Sequence, residues 1–210
     1  MKQKLRKILT WVRRIGLKGN SFTIVSNNCF AGFVYQKFGI KYNTPFIGLF
    51  ILAPDYIELL KNFNELIKKK LIFINADKSK YKDYLIKNNR YNKYPIGRLG
   101  ESVEIHFLHY KSEIEAEEKW NRRLKRMNFN NILFKFSDSD MSNLELIKEF
   151  YQLSFENKIC FTSKNIPNIK SQIYLQKYKN QQSVINEWAA ISTVKMKKII
   201  NKLYIYNKNT

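Results

Sequence analysis

The side chains in this sequence that could do chemistry cluster where apolar runs end. Phe-Thr-Ile-Val at 22–25 passes directly into Ser26, Asn27, Asn28 and Cys29. The two histidines, His106 and His109, fall within and just after Val-Glu-Ile-His-Phe-Leu, and Tyr110 follows. Asp138 and Asp140 come after Ile-Leu-Phe-Lys-Phe, and Ser163 and Lys164 after Lys-Ile-Cys-Phe-Thr. Paired carboxylates are hard oxygen ligands, suited to holding Mg²⁺ or Mn²⁺ against a diphosphate. The same two aspartates also suit a turn followed by a helix cap. Amides both donate and accept, so Asn27 and Asn28 are candidates for binding substrate hydroxyls.

Cys29 stands at a predicted helix start, where the helix dipole favours a thiolate, and His109 could serve it as base. The alternative is a small apolar thiol packed under a sheet. His106 and His109 lie three residues apart on a strand and so face opposite ways, which makes His106 a candidate core imidazole. In Trp-Asn-Arg-Arg-Leu-Lys-Arg, helical spacing sets Arg122 and Arg126 on one face and Arg123 on another. Arg122 is the candidate phosphate contact there; a run of this kind also suits a solvated face.

These groups need elements to hold them. Short apolar runs at 22–26, 71–74, 103–108, 132–136 and 158–162 predict strands, with helical patterns between them. The helix after Cys29 should stop at Gly39, and Pro54 opens another with Asp55 in its first turn. Ser112 with Glu115 reads as a capping box. The polar, Tyr- and Lys-rich stretch from Ala76 to Gly100 reads as a long excursion or lid. Alternation of helices with strands apolar on both faces predicts a three-layer α/β domain, with a mainly parallel, Rossmann-like sheet and helices on both faces. In such sheets ligands bind beyond the carboxyl ends of the strands, which would gather the candidate residues on one rim.

The 210 residues carry 38 basic and 17 acidic side chains, and 44% are hydrophobic, enough for a core. No acid precedes Asp55, and beyond Glu156 the only one is Glu187, so both ends of the chain are strongly positive. That balance suits an anionic partner: a phospholipid leaflet, a nucleic acid or a phosphate-bearing substrate. Abundant Lys, Asn, Ile and Tyr with only 7 Gly and 4 Pro also fit an AT-rich coding sequence, which inflates lysine on its own. No nucleic-acid-binding motif is present, and nucleic acid is not an expected partner. Residues 1–20 predict a basic amphipathic helix: Leu5, Ile8, Leu9, Val12 and Ile15 form one stripe, ringed by Lys2, Lys4, Arg6, Lys7, Arg13 and Arg14. It would lie in an anionic membrane interface or dock on its own domain, residues 21–210. With no secretory signal or membrane-spanning stretch, a cytoplasmic protein is expected, peripheral at the inner face of the plasma membrane.

Several blocks in order carry a resemblance. "FTIVSNNCFAGFVYQKFGIKYNTPFIGLFI", "YPIGRLGESVEIHFLHYKSEIEAEEKWNRRLKRMN" and "ILFKFSDSD" with "KICFTSK" resemble a bacterial family of exopolysaccharide and capsular polysaccharide biosynthesis proteins of undetermined activity. The likeness runs from about Phe22 to Lys164. Relatives often read Trp-Gly-Gly where this chain has Phe30-Ala31-Gly32, and Arg where it has Ser139. The strand followed by Asp-x-Asp is also similar to nucleotide-sugar transferases of the GT-A type. Together these imply a transferase of cell-surface glycan assembly, glycosyltransferase-like, using a nucleotide-sugar or phosphorylated sugar donor and a glycan or lipid-linked glycan acceptor. On that reading His109 and Asp138 are catalytic, Asp138 and Asp140 hold the metal, and Asn27, Asn28, Cys29, Tyr110, Arg122 and Lys164 bind substrate. Two other readings stay open: an acyl- or group-transferase using Cys29 and His109, and a non-catalytic binding protein of the glycan machinery.

Overall fold

The computed structural model describes residues 2–170 and 172–205, with side chains for all of these except residues 2–4 and 6. The side chains of Lys2, Lys4 and Arg6, expected around the N-terminal stripe, and the last five residues of the expected domain lie outside the described residues.

Four strands build the parallel sheet: β1 (Thr23–Ser26), β5 (Ile132–Ser137), β6 (Lys158–Thr162) and β7 (Gln172–Tyr174), in the order β1-β5-β6-β7. Each neighbouring pair is parallel, with Thr23 opposite Ile132 and Phe134 opposite Lys158. The sheet is buried on both faces, as the continuous apolar runs require. Ile24, Leu133, Ile159 and Phe161 pack on one side against α2 (Phe30–Phe38) and α9 (Thr193–Lys202). Val25, Phe134, Phe136 and Cys160 pack on the other against α3 (Ala53–Lys61) and α7 (Leu144–Gln152). The expected three layers are present.

Two of the predicted strands belong elsewhere. β2 (Leu71–Ile74) and β4 (Val103–His106) flank β3 (Ile96–Leu99) in a separate antiparallel sheet. β3 lies in the stretch expected to be an excursion, which also holds the short helix α5 (Lys82–Lys87). An apolar run announces a strand but not its partner, and Pro95, Gly97 and Gly100 mask β3 with turn-forming residues. Asp55 clasps this second sheet to α3: its fully buried carboxylate accepts from the Glu104 N–H at 2.7 Å and the Tyr81 hydroxyl at 2.5 Å.

Helix ends follow local chemistry. α2 stops at Gly39, whose φ of 61° is the left-handed conformation that glycine adopts without a Cβ penalty. α6 (Glu113–Leu124) is capped by Ser112, which accepts from the Glu115 N–H, while Glu115 reaches back to the Lys111 N–H. Asn143 caps α7 through the Leu146 N–H. α4 (Phe63–Leu66) extends α3 after a one-residue break, and α8 (Glu187–Ala190) precedes α9. The N-terminal helix α1 (Lys2–Arg14) rests on α2. Among the described residues no helix is long and apolar enough to cross a membrane.

Candidate functional site

At the exit of β1 the backbone turns so that side chains replace the missing ladder partners. Ser26 Oγ donates to the Asn28 carbonyl at 2.8 Å, and Asn28 Oδ1 accepts from the Phe30 N–H at 3.1 Å, closing the first turn of α2. The amides also meet a buried ion pair for which no role was anticipated. Lys135, in the middle of β5, is fully buried and bonds to Glu187 Oε1, to Ser137 Oγ at 2.5 Å and to Asn28 Oδ1 at 2.8 Å. Asn27 Oδ1 lies 3.4 Å from the same ammonium. Glu187 Oε1 further accepts from Asn28 Nδ2 at 2.8 Å and Ser137 Oγ at 2.9 Å. Burial pulls Lys135 below its ordinary value, with Glu187 pulling the other way. Burial also acts to raise Glu187, but the Lys135 charge and the Asn28 amide outweigh it and hold the carboxyl below its ordinary range. Glu187 is therefore the carboxylate that compensates a buried ammonium.

Asn27 and Asn28 thus serve this network rather than an open surface. A lysine inside an apolar strand and the only acid after Glu156 were the two signals that could have revealed it.

Cys29, next to Asn28, comes together instead with His109 and Tyr110. With Gln36 of α2 and Lys119 and Arg123 of α6 they line a cavity of about 290 Å³. Residues 43–51 run beside β1, with Thr44 Oγ1 donating to the Ile24 carbonyl and the Ile51 N–H donating to the Asn27 carbonyl, and Ile47 and Gly48 close the cavity. Gly48 has φ 69°, and a Cβ there would stand 3.3 Å from His109 Cβ, so glycine serves both the turn and the close approach. His109 is exposed at the wall, while Tyr110 is buried and donates to the Ile47 carbonyl at 2.5 Å. Burial raises the Tyr110 phenol, with Arg123 acting against it.

Arg123 is the unusual group. It is only 7% exposed, yet among the described residues it has no carboxylate within ion-pair reach. Nη1 donates to the Tyr110 oxygen at 2.5 Å and the guanidinium lies 5.1 Å from the Tyr42 ring centre. Nε has no hydrogen-bond partner among the described residues. A buried charge normally finds a counter-charge, because leaving it bare costs several kcal/mol, roughly. Lys119 adds a second cation, tied on its outer side to Glu115. The cavity therefore has the electrostatics of an anion site. Arg122, expected to make this contact, lies on the exposed face of α6 and does not line the cavity; its neighbour Arg123 does.

The Cys29 thiol is pushed up to about 11, chiefly by burial, with Lys135 pulling the other way. It stays protonated at neutral pH, contrary to the thiolate suggested by its place at a helix start. The α2 turn gives it no opposing donor, and its contact is the Leu49 carbonyl at 3.8 Å.

The two aspartates do not form a metal pair. Asp138 Oδ2 accepts from the Ser163 N–H at 2.6 Å and Ser163 Oγ at 2.8 Å, and Oδ1 from the Val184 N–H at 2.7 Å. It ties the ends of β5 and β6 to the chain before α8. Asp140, in a left-handed turn with φ 51°, points to Arg90 at 2.8 Å instead. Three donors on one carboxylate and a guanidinium on the other leave this pair a poor fit for Mg²⁺ or Mn²⁺. No group of three or more His, Cys, Asp or Glu among the described residues is arranged to hold a metal ion. Lys164 is exposed beside Asp138, along a separate cavity of about 380 Å³. The candidate residues thus fall into the Arg123 cavity, the Lys135 network that adjoins it through Asn28 and Cys29, and the Asp138 clasp.

The family signature of the domain of unknown function DUF1919 matches residues 1–207. The chain belongs to the DUF1919 family. An uncharacterized protein of Haemophilus influenzae is 33% identical to it over 168 residues, covering 80% of this chain and 74% of the relative. The Arg123 cavity lies wholly within the matched span of this DUF1919 protein.

Proposed function

We propose that this DUF1919 protein is a transferase of bacterial cell-surface polysaccharide assembly, acting in the cytoplasm on a nucleotide-activated or otherwise phosphorylated sugar donor. The observation that carries the reading is Arg123, which lines the cavity while buried, with no carboxylate partner among the described residues. A phosphate is the anion whose geometry a guanidinium fork matches. The volume of about 290 Å³ suits a phosphate with one sugar ring rather than a whole nucleotide sugar, so a nucleoside would extend past the mouth. The resemblance of residues 22–164 to exopolysaccharide and capsular polysaccharide proteins supports the glycan setting.

In the reaction, Arg123 and Lys119 take the phosphate oxygens. The bond from the sugar anomeric carbon to the phosphate oxygen breaks, its electron pair leaving with the phosphate, where the two cations stabilise the growing charge. The acceptor hydroxyl oxygen bonds to the anomeric carbon, and its proton passes to His109, the exposed ring at the wall. Tyr110 positions Arg123 through its hydroxyl. No step requires the Asp138–Asp140 pair. The acyl-transfer alternative has Cys29 and His109 on one cavity in its favour, but a thiol at about 11 is a poor nucleophile at neutral pH.

Membranes from cells lacking the protein, supplied with labelled nucleotide sugars or labelled lipid-linked sugar phosphates and purified protein, test the reading. Wild type should transfer label into glycan, and Arg123→Gln at least tenfold less. Absence of transfer from every common donor, or equal transfer by Arg123→Gln, removes it.

A further inference from the structure

α1 stands on the protein with its apolar stripe outward. Leu5, Ile8, Leu9 and Val12 are between 44% and 58% exposed, and Trp11 is 60% exposed. Ile15, one residue beyond the helix, continues the stripe. The side turned to the body is polar: Thr10 abuts Gly39, so closely that a Cβ there would come within 2.8 Å of it, and Arg13 shares a groove with Lys37. A helix that docks only to cover its own apolar face would be turned the other way. Its surroundings carry one sign of charge. Lys7 and Arg14 are exposed beside the stripe, and no acidic residue precedes Asp55. A second copy meeting this face would bring basic groups against basic groups, whereas an anionic lipid surface complements both the apolar stripe and its charged border.

The groove behind α1 connects this face to the candidate site. It holds about 270 Å³ between α1, α2, α8 and α9, lined by the apolar Phe33, Trp188 and Met196 and by Arg13 and Lys37. Phe33 and Gln36 line this groove and the Arg123 cavity alike, so the two adjoin across one face of α2. Phe33 is 41% exposed and stacks on Trp188 with ring centres 4.3 Å apart.

We propose that α1 seats the protein on an anionic phospholipid surface and that the phosphorylated substrate is lipid-linked, its phosphate at Arg123 and the first part of its chain along the Phe33–Trp188 groove. The docking stands on α1 alone; the identity of the substrate rests on the phosphate reading of the Arg123 cavity.

Co-sedimentation with vesicles of phosphatidylcholine, with and without one-quarter phosphatidylglycerol, tests the docking. Wild type should bind the anionic vesicles at least tenfold more tightly than the neutral ones. The exposed-site double variant Ile8→Glu/Trp11→Glu, shown folded by an unchanged melting temperature, should lose that binding at least tenfold. Failure of wild type to bind anionic vesicles, equal binding by the variant, or a wild-type dimer that this variant converts to monomer without any lipid effect would overturn it. For the substrate, farnesyl phosphate should bind at least tenfold more tightly than inorganic phosphate, and Phe33→Ala should remove that advantage. Equal affinity for the two ligands overturns the lipid-linked assignment. Arg123→Gln should still bind vesicles, so its loss of phosphate binding, or lack of loss, judges the phosphate reading separately.

Discussion

At the scale of the residue, burial decides what each titratable side chain can do. His106 is fully buried, stacked on Phe50 with ring centres 4.6 Å apart, and neither ring nitrogen has a partner among the described residues. It is the core imidazole that its alternation with His109 indicated, but not a hydrogen-bonded one. Burial, helped by nearby Arg90, lowers it from 6.5 to about 3. The unfolded chain therefore takes up a proton as pH falls through 6.5 while the folded chain does not. The stability present above pH 6.5 should decline below it by about 1.4 kcal/mol per pH unit. Urea melts between pH 7 and 5 should show that slope in wild type, and His106→Phe should flatten it. A wild type equally stable at both values would refute the assignment. Cys29 makes a second residue-scale prediction: with its thiol at about 11, iodoacetamide at pH 7.5 should label it far more slowly than free cysteine. Labelling as fast as free cysteine would restore the thiol chemistry.

At the scale of the element, the Lys135–Glu187 pair fastens α8 across the exits of β1 and β5. Removing one partner leaves a buried charge bare, so Lys135→Met alone should cost about 3–5 kcal/mol, and Lys135→Met with Glu187→Gln much less. Chemical denaturation of the two variants checks this, and an additive double mutant would contradict it. The same element shows where sequence reading stops. Strands β1, β5 and β6 were legible because each is an apolar run broken by polar residues, and the Ser112 and Gly39 helix boundaries follow from local chemistry. β3 was hidden because Pro95 and Gly97 look like a loop, and the partnership of β2 and β4 was hidden because pairing is non-local. Arg123 shares the apolar face of α6 with Ala116 and Trp120, so its burial was legible from helical spacing, but the pairing of its guanidinium with Tyr110 and Tyr42 was not.

At the scale of the whole molecule, the candidate residues were expected to share one cleft, and the second sheet helps to explain why they fall into separate bonded groups instead. His109 leaves an antiparallel strand, so it reaches α2 and α6 rather than the exits of β5 and β6. The aspartates expected to hold a metal instead lock segments together. Asp138→Asn should therefore lower the melting temperature without altering anion binding, and chelation with EDTA should leave anion binding unchanged. The excess of positive charge appears in two places in this arrangement: an outward basic and apolar α1, and the buried Arg123 that we propose binds an anion.

The most direct measurement is calorimetric titration of the purified protein with inorganic pyrophosphate in EDTA. Saturable binding at one site, weakened at least tenfold by Arg123→Gln and unaffected by Arg122→Gln, is the predicted result. No saturable binding to wild type, or equal binding by Arg123→Gln, would contradict the assignment of the cavity to a phosphate.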